Sequence, residues 1–356
     1  MSTQTRAALL LLACGLTGCP DESSTEGGGG SGGSAPSDPA WSSVFAEDAL
    51  DRSLLAVWGS SSTDVYAVGG PLRNSGFDAL ALHFDGDVWR ELPVGGSDSY
   101  WWVHGSSSTD LFFVGEAGRI THWSGTEASE LDSGTTATLW GAIAFAPDDV
   151  WVVGGMVGGA ATTPDDVVLH YDGVSFEAVT LPGEPLGRAL FKVWGTSSDD
   201  LFVVGEGGVI WHKQGDTWTN ETGEPSLADG NLTTVHGCSA SDVYAVGGRD
   251  ILHYDGAAWS RVDKPLGSDV NGVVCVDAST AAIVGMGGLK QRLVDGEWID
   301  EFSVEPFEDL HAVWADETGA YWAVGGDFVL TPKPNVARHG VVARYGAGKI
   351  PSTLSE

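Results

Sequence analysis

The chain has 356 residues, with 17 basic against 49 acidic side chains and a formal net charge of −32. That field excludes a nucleic-acid surface, which needs Lys and Arg against phosphate, and it excludes electrostatic docking on anionic lipid. A hydrophobic fraction of 42% and 15 tryptophans exclude disorder over most of the length, while 51 glycines without a triplet period favour short strands and tight turns.

Residues 1–18 carry one charge, Arg6, followed by the apolar run Ala7–Cys14. The run is too short to span a bilayer and fits a secretory leader. Leu16-Thr17-Gly18-Cys19 resembles the lipobox of bacterial lipoproteins. The resemblance implies cleavage before Cys19, lipid on its sulfur and acylation of the new amino terminus, a multi-chain anchor that holds where one chain would not. Residues 20–40 read PDESSTEGGGGSGGSAPSDPA, with no apolar side chain larger than Ala or Pro. They form a tether of roughly 25 Å as a coil.

From residue 41 to 350 one pattern recurs seven times: apolar-x-x-Val-Trp-Gly, a polar turn, Val-Tyr-Ala-Val-Gly-Gly, then Leu-His-Tyr-Asp-Gly-x-x-Trp. Its central glycine falls at Gly69, Gly115, Gly154, Gly205, Gly247, Gly285 and Gly325. The steps of 46, 39, 51, 42, 38 and 40 lie in the range of propeller blades. In the fifth copy the four strands are expected at Leu232–Gly237, Val243–Val246, Ile251–Tyr254 and Trp259–Val262. Asp-Gly at 85–86, 172–173, 255–256 and 295–296 predicts type I′ hairpins, in which both central residues take positive φ. The fold class is therefore all-β, a seven-bladed propeller of four-stranded blades.

The diglycine, Tyr and Trp of VYAVGG…LHYDGAAW resemble kelch repeats, and the Asp-x-x-Trp endings are similar to the Asp-box (BNR-like) repeats of sialidase-like propellers. Both resemblances imply the propeller fold; neither carries a function over. The seventh copy runs out at Ile350-Pro351 without its closing Trp strand, whereas Ala40-Trp41-Ser42-Ser43-Val44 matches Ala258-Trp259-Ser260-Arg261-Val262. Residues 41–44 are thus expected to supply the outer strand of blade seven, leaving 351–356 as a tail.

The residue types that carry chemistry mostly sit in repeated slots. His83, His122, His170, His212 and His253 share a third-strand position on separate blades, with Arg344 there in the seventh copy. Divergent side chains cannot meet at one ion, so bridging of a turn or a neighbouring blade is expected. His104 and His236 replace the first-strand tryptophans Trp58, Trp194 and Trp314 and read as packing. Trp89, Trp218, Trp259 and Trp298, with Phe176, fill one fourth-strand slot and read as blade-to-blade packing, while Trp101 and Trp211 fall outside it. Asp148-Asp149 and Asp199-Asp200 sit in first-hairpin turns, where Asp caps backbone; Asp165-Asp166 lies in a long insertion that could join a hard-cation site. No arginine triad, G-x-S-x-G, phosphate loop or Cys-x-x-Cys occurs, so no catalytic residue, metal or cofactor is expected. Cys238 and Cys275 lie on the first strands of adjacent blades five and six, one residue apart in register, and are a candidate disulfide against two buried thiols.

The loops between second and third strands are long in blades one (71–79), three (156–166) and seven (327–340). Blades seven and one adjoin in a closed ring, so their loops should form one raised edge, where binding specificity usually sits. The loop DFVLTPKPNVARHG at 327–340 joins an apolar triplet, two prolines and two cations on an acidic protein. Phe328, Lys333 and Arg338 are the candidate recognition residues; the alternative is that Phe328 and Leu330 tuck under the loop. The reading is a monomeric, membrane-anchored, non-catalytic binding or scaffold lipoprotein of a Gram-negative envelope, on its outer membrane or cell surface, with the periplasmic face as the other placement. It touches membrane only through its lipid and takes an envelope protein or glycan as partner. The alternatives are a carbohydrate-active hydrolase or lyase, favoured by an acid pair in the central depression, and an outer-membrane assembly factor.

Overall fold

Asp-Gly turns and alternating strands resolve in the computed structural model into seven antiparallel sheets around one axis. It describes residues 38–158, 166–183, 186–223, 226–263 and 267–355; Cys19 and most of the tether lie outside the described residues. Blade five shows the plan, with strands Thr234–Ser239, Asp242–Gly247, Asp250–Tyr254 and Trp259–Arg261 in that order from the axis outward. The expected strand centres hold, while the first strand starts two residues later and extends two further.

Closure at the amino end is as the repeat predicts. Ala40–Ser43 pairs antiparallel with Gly340–Gly346 as the fourth strand of blade seven, with Trp41 opposite Tyr345. The tail adds a second clasp. Leu354–Ser355 lies parallel to Trp89–Glu91 and gives blade one a fifth strand.

The Asp-Gly turns divide into two kinds. Only Asp295-Gly296 has positive φ at both residues, 52° and 82°, as a two-residue I′ turn requires. At Gly86, Gly173 and Gly256 the glycine alone is left-handed. There the turn is longer, because the Asp85, Asp172 and Asp255 carboxylates each accept two backbone N–H groups from the following residues. A side chain that caps the turn removes the need for a second left-handed residue.

Packing between blades explains the motifs. The ring of the first-strand Trp lies over a glycine of the next blade: a Cβ on Gly59, Gly105 or Gly237 would stand 2.7, 3.0 and 2.4 Å from Trp314, Trp58 and Trp194. Fourth-strand aromatics face the preceding blade, as in Trp259 on Phe202, Trp218 on Trp151 and Trp89 on Trp322. The five repeated histidines bridge the first hairpin. Each donates or accepts through Nε2 at 2.7–3.1 Å from Asp64, Asp110, Asp149, Asp200 or Asp242, and packs on Tyr66, Phe112, Trp151, Phe202 or Tyr244.

Cys238 and Cys275 are disulfide-bonded between the inner strands of blades five and six, with Cα atoms 5.1 Å apart. A bulge between Gly237 and Ser239 turns Cys238 toward its neighbour and compensates the one-residue offset. Serine fills the matching bulge in blades one and two (Ser60, Ser106), and Ala144 matches Cys275 in blade three. The double variant Cys238→Ser/Cys275→Ala therefore fits the local backbone and is expected to cost about 2–4 kcal/mol. Urea unfolding with and without reductant checks this: the variant should match the reduced wild type and be indifferent to reductant.

Candidate functional site

The inner strands of every blade but the fifth begin with a bulge, one residue after pairing with the end of the second strand. Bulges re-aim side chains. Here they place Leu55, Trp101, Trp140, Phe191, Asn271 and His311 around the channel mouth on the face of the long loops, and Thr233 occupies the same place in blade five. Trp101 meets Trp140 edge-on at 4.5 Å, Trp140 meets Phe191 at 5.7 Å, and His311 meets Phe328 of the long loop at 5.1 Å. The Trp140 indole N–H donates to the Gly155 carbonyl, whereas the buried Trp101 Nε1 has no hydrogen-bond partner.

Over this floor stands a cup of about 420 Å³ walled by Met156, Val157, Phe328, Leu330, Pro332 and Arg73. Met156, Val157 and Leu330 are about half exposed, at 47, 52 and 55%. Of the residues lining the cup only Glu116 carries a carboxylate. Its two oxygens accept from Arg73 Nε and from the Ser99 backbone N–H, both at 3.0 Å.

The loops of blades seven and one form the continuous edge expected of them. The Asn335 N–H donates to Ser75 O, the buried Asn74 amide donates to Val336 O, and Asn74 Oδ1 accepts the Lys333 N–H. Leu72, Arg73 and Asn335 all hold positive φ, 43°, 66° and 55°. These three are strained positions for such side chains and persist only because the docked loops fix them.

The structure separates the three candidate recognition residues. Phe328 is half-buried and reaches the mouth; Lys333 is exposed beside Leu330 and Val336. Arg338 is not an exposed contact. It is 3% exposed and donates to the carbonyls of Asp327, Leu330 and Leu72, so its guanidinium holds the loop from inside. Burial lowers its pKa from the ordinary arginine value. Arg338→Met is expected to remove about 1–3 kcal/mol and to free the loop locally. Hydrogen exchange should report it, with the Asn335 amide exchanging at least roughly tenfold faster and blade-five amides unchanged.

Deeper in the channel, Lys192 is buried, lies over the Trp102 ring at 4.3 Å and donates to Trp140 O at 2.7 Å. Its stem crosses Gly141, where a Cβ would meet the Lys192 Cα at 3.0 Å. Desolvation lowers its pKa to about 7. His104 and His236 accept the backbone N–H groups of Ala144 and Cys275 in the next blade, each at 3.1 Å, and stand against Trp58 and Trp194. Of the Asp165-Asp166 pair, Asp165 lies outside the described residues, and the Asp166 carboxylate accepts the N–H groups of Leu186 and Arg188 at 2.6 and 2.9 Å. Among the described residues the one cluster with metal-ligand spacing is Cys238, Asp242 and Cys275, whose sulfurs are bonded to each other.

Sequence reasoning set Trp101 apart from the packing slot and found the loop, but missed Trp140, Arg73 and Met156. The available signal was an aromatic directly after the first apolar residue of a copy, at Trp101, Trp140 and Phe191.

No protein-family model matches the chain, and no curated protein matches it in sequence. Solved structures match it throughout the propeller. YCF48 bound to D1 peptide aligns with TM-score 0.63 at 14% identity over 86% of this chain and 96% of that one. The WD40 repeats of RRP9 align at 0.64 and 10% identity, over 88% and 100%, and a streptogramin B lyase at 0.65 and 12%, over 87% and 98%. At such identities the likeness establishes the seven-bladed fold and nothing further.

Proposed function

We propose that this protein is a lipid-anchored, non-catalytic binding propeller of the bacterial envelope, which holds a protein partner on its long-loop face. One observation carries the reading: a preformed apolar cup at the channel mouth, walled by half-exposed Met156, Val157 and Leu330, whose single lining carboxylate is already paired with Arg73. Exposed apolar side chains gathered at one site mark recognition surfaces. An acid pair of the kind a hydrolase uses is not what lines this cup. The peptide recorded with YCF48 supports a peptide-binding use of the same fold. Leu16–Cys19 and the Gly/Ser segment after it support the anchor.

A photo-crosslinking residue at position 330 is expected to give a discrete protein adduct in intact cells. The same residue at position 174, 85% exposed on the opposite face, should give none. Equal labelling from both positions would overturn the loop-face reading. For the anchor, Cys19→Ala should abolish metabolic incorporation of labelled palmitate and release the protein from membranes.

A further inference from the structure

The proposal here rests on the loop-face reading and names what the cup takes. We infer that its occupant is an extended peptide segment presenting a large apolar side chain beside a carboxylate.

Three observations carry it. First, the rim is cationic on a protein of net charge −32. The Arg73 side chain is 77% exposed and spends only Nε on Glu116, which leaves the outer edge of its guanidinium toward solvent. Lys333 is exposed, with no carboxylate partner among the described residues. Arg73 lines the cup and Lys333 lines the adjoining hollow, which shares Leu330 and Arg338 with it, and a guanidinium or an ammonium there pairs with a carboxylate. Second, the cup floor is made of the Trp101 and Trp140 indoles, and the Trp140 N–H is already spent on the Gly155 carbonyl, so the floor favours an apolar group. Third, the apolar walls are mainly aliphatic, with Phe328 the one aromatic side chain among them. Met156, Val157 and Leu330 are flexible or branched, and Trp101 and Trp140 pack edge to face, so the face of one of them is covered by the other. Flat open rings suit stacking on sugars, and this geometry suits a side chain inserted between methyl and methylene groups.

The strained backbone at Leu72, Arg73 and Asn335 belongs to the same device. It fixes Arg73 over the cup before any ligand arrives, through Leu72 N–H to Ser99 Oγ at 2.8 Å and the Asn74 bonds to the opposite loop. Pre-set loops spare the ordering cost of binding.

The test is selection of a random decapeptide library on the purified full chain, followed by fluorescence anisotropy with the enriched peptides. Enriched sequences are expected to place Asp, Glu or a free terminal carboxylate within two positions of an aromatic, Leu or Met. Amidated and free-acid versions of each peptide then distinguish a chain terminus from an internal acidic side chain. Leu330→Asp should weaken binding at least roughly tenfold, and Arg73→Gln/Lys333→Gln likewise, with reduced dependence on salt. Lys333→Gln alone touches no structural bond of its side chain, so a partial loss from it at unchanged melting temperature separates recognition from folding. Peptides enriched for apolar residues alone, or indifferent to Arg73→Gln/Lys333→Gln, overturn the carboxylate inference and leave loop-face binding standing. Selection that yields no binder sensitive to Leu330→Asp, or binding of an oligogalacturonate in place of peptides, overturns the peptide occupant itself. Crosslinking from position 330 then decides the wider reading separately.

Discussion

Trp41→Ala is expected to cost about 3–5 kcal/mol, the range for a buried tryptophan in a packed core. Trp41 is 6% exposed and packs on Tyr345 across the closing strand pair. Its indole N–H donates to Glu301 Oε2 at 2.7 Å; Glu301 in turn holds Arg292, whose guanidinium lies 3.8 Å over the Tyr345 ring. One side chain thus ties the amino-terminal strand to blades six and seven. Trp41→Phe should recover most of the loss, because ring area returns while Glu301 keeps Arg292. The carboxy-terminal clasp should matter far less: Leu354 is 39% exposed and only two residues pair, so Leu354→Ser should cost under about 1 kcal/mol. Urea midpoints for the three variants check the order. A Trp41→Ala protein as stable as Leu354→Ser would show that the ring does not depend on its amino-terminal closure.

Acid should begin to destabilise the protein at a pH above the range in which its carboxylates titrate. Desolvation lowers the pKa of His104 and His236 to about 4, with His236 adding to the effect on His104. It lowers that of His311 to about 3, with Lys192 contributing. A depressed histidine contributes stability that is complete above the unfolded value of 6.5 and is lost as pH falls toward the folded value. From the shifts of His104 and His236 the loss is on the order of 3 kcal/mol each between pH 6.5 and 4, and the three together are comparable with the ~5–15 kcal/mol that holds a typical domain. His212 runs the other way. Burial opposes its charge, but hydrogen bonds to Glu221 and Asp200 raise its pKa, so its contribution is present at low pH and fades as pH rises through the raised value. Desolvation of half-buried Asp64 opposes its charge, but bonds from His83 and Ser60 lower its pKa, so its own loss begins only below 3.8. Melting temperature should therefore fall steeply from pH 6.5 to 4. His104→Asn/His236→Asn, in which Oδ1 can accept the Ala144 and Cys275 N–H groups in place of Nδ1, should flatten that fall. An unchanged pH profile in the double variant would assign acid lability to other groups.

The repeat by itself determined the seven blades, the strand order and the closing role of Trp41–Ser43. Each follows from local, periodic rules, with side chains alternating every two residues, Asp and Gly marking turns, and a strand-less seventh copy matched by an orphan strand at the start. The same rules explain why the long loops of blades seven and one could be placed side by side. The cup was decided by tertiary structure alone. Trp101, Trp140 and His311 stand next to first-strand apolar residues in sequence, and nothing local separates them from core; a bulge at the start of each inner strand turns them to the mouth. Arg338 and Lys333 are both cations of one polar loop, and only the position of Asn74 and the Asp327 and Leu330 carbonyls makes the first a buried strut and the second a rim charge. Periodicity fixes which face of a strand is inward, whereas bulges break that alternation and the docked loops depend on contacts between residues more than 250 positions apart.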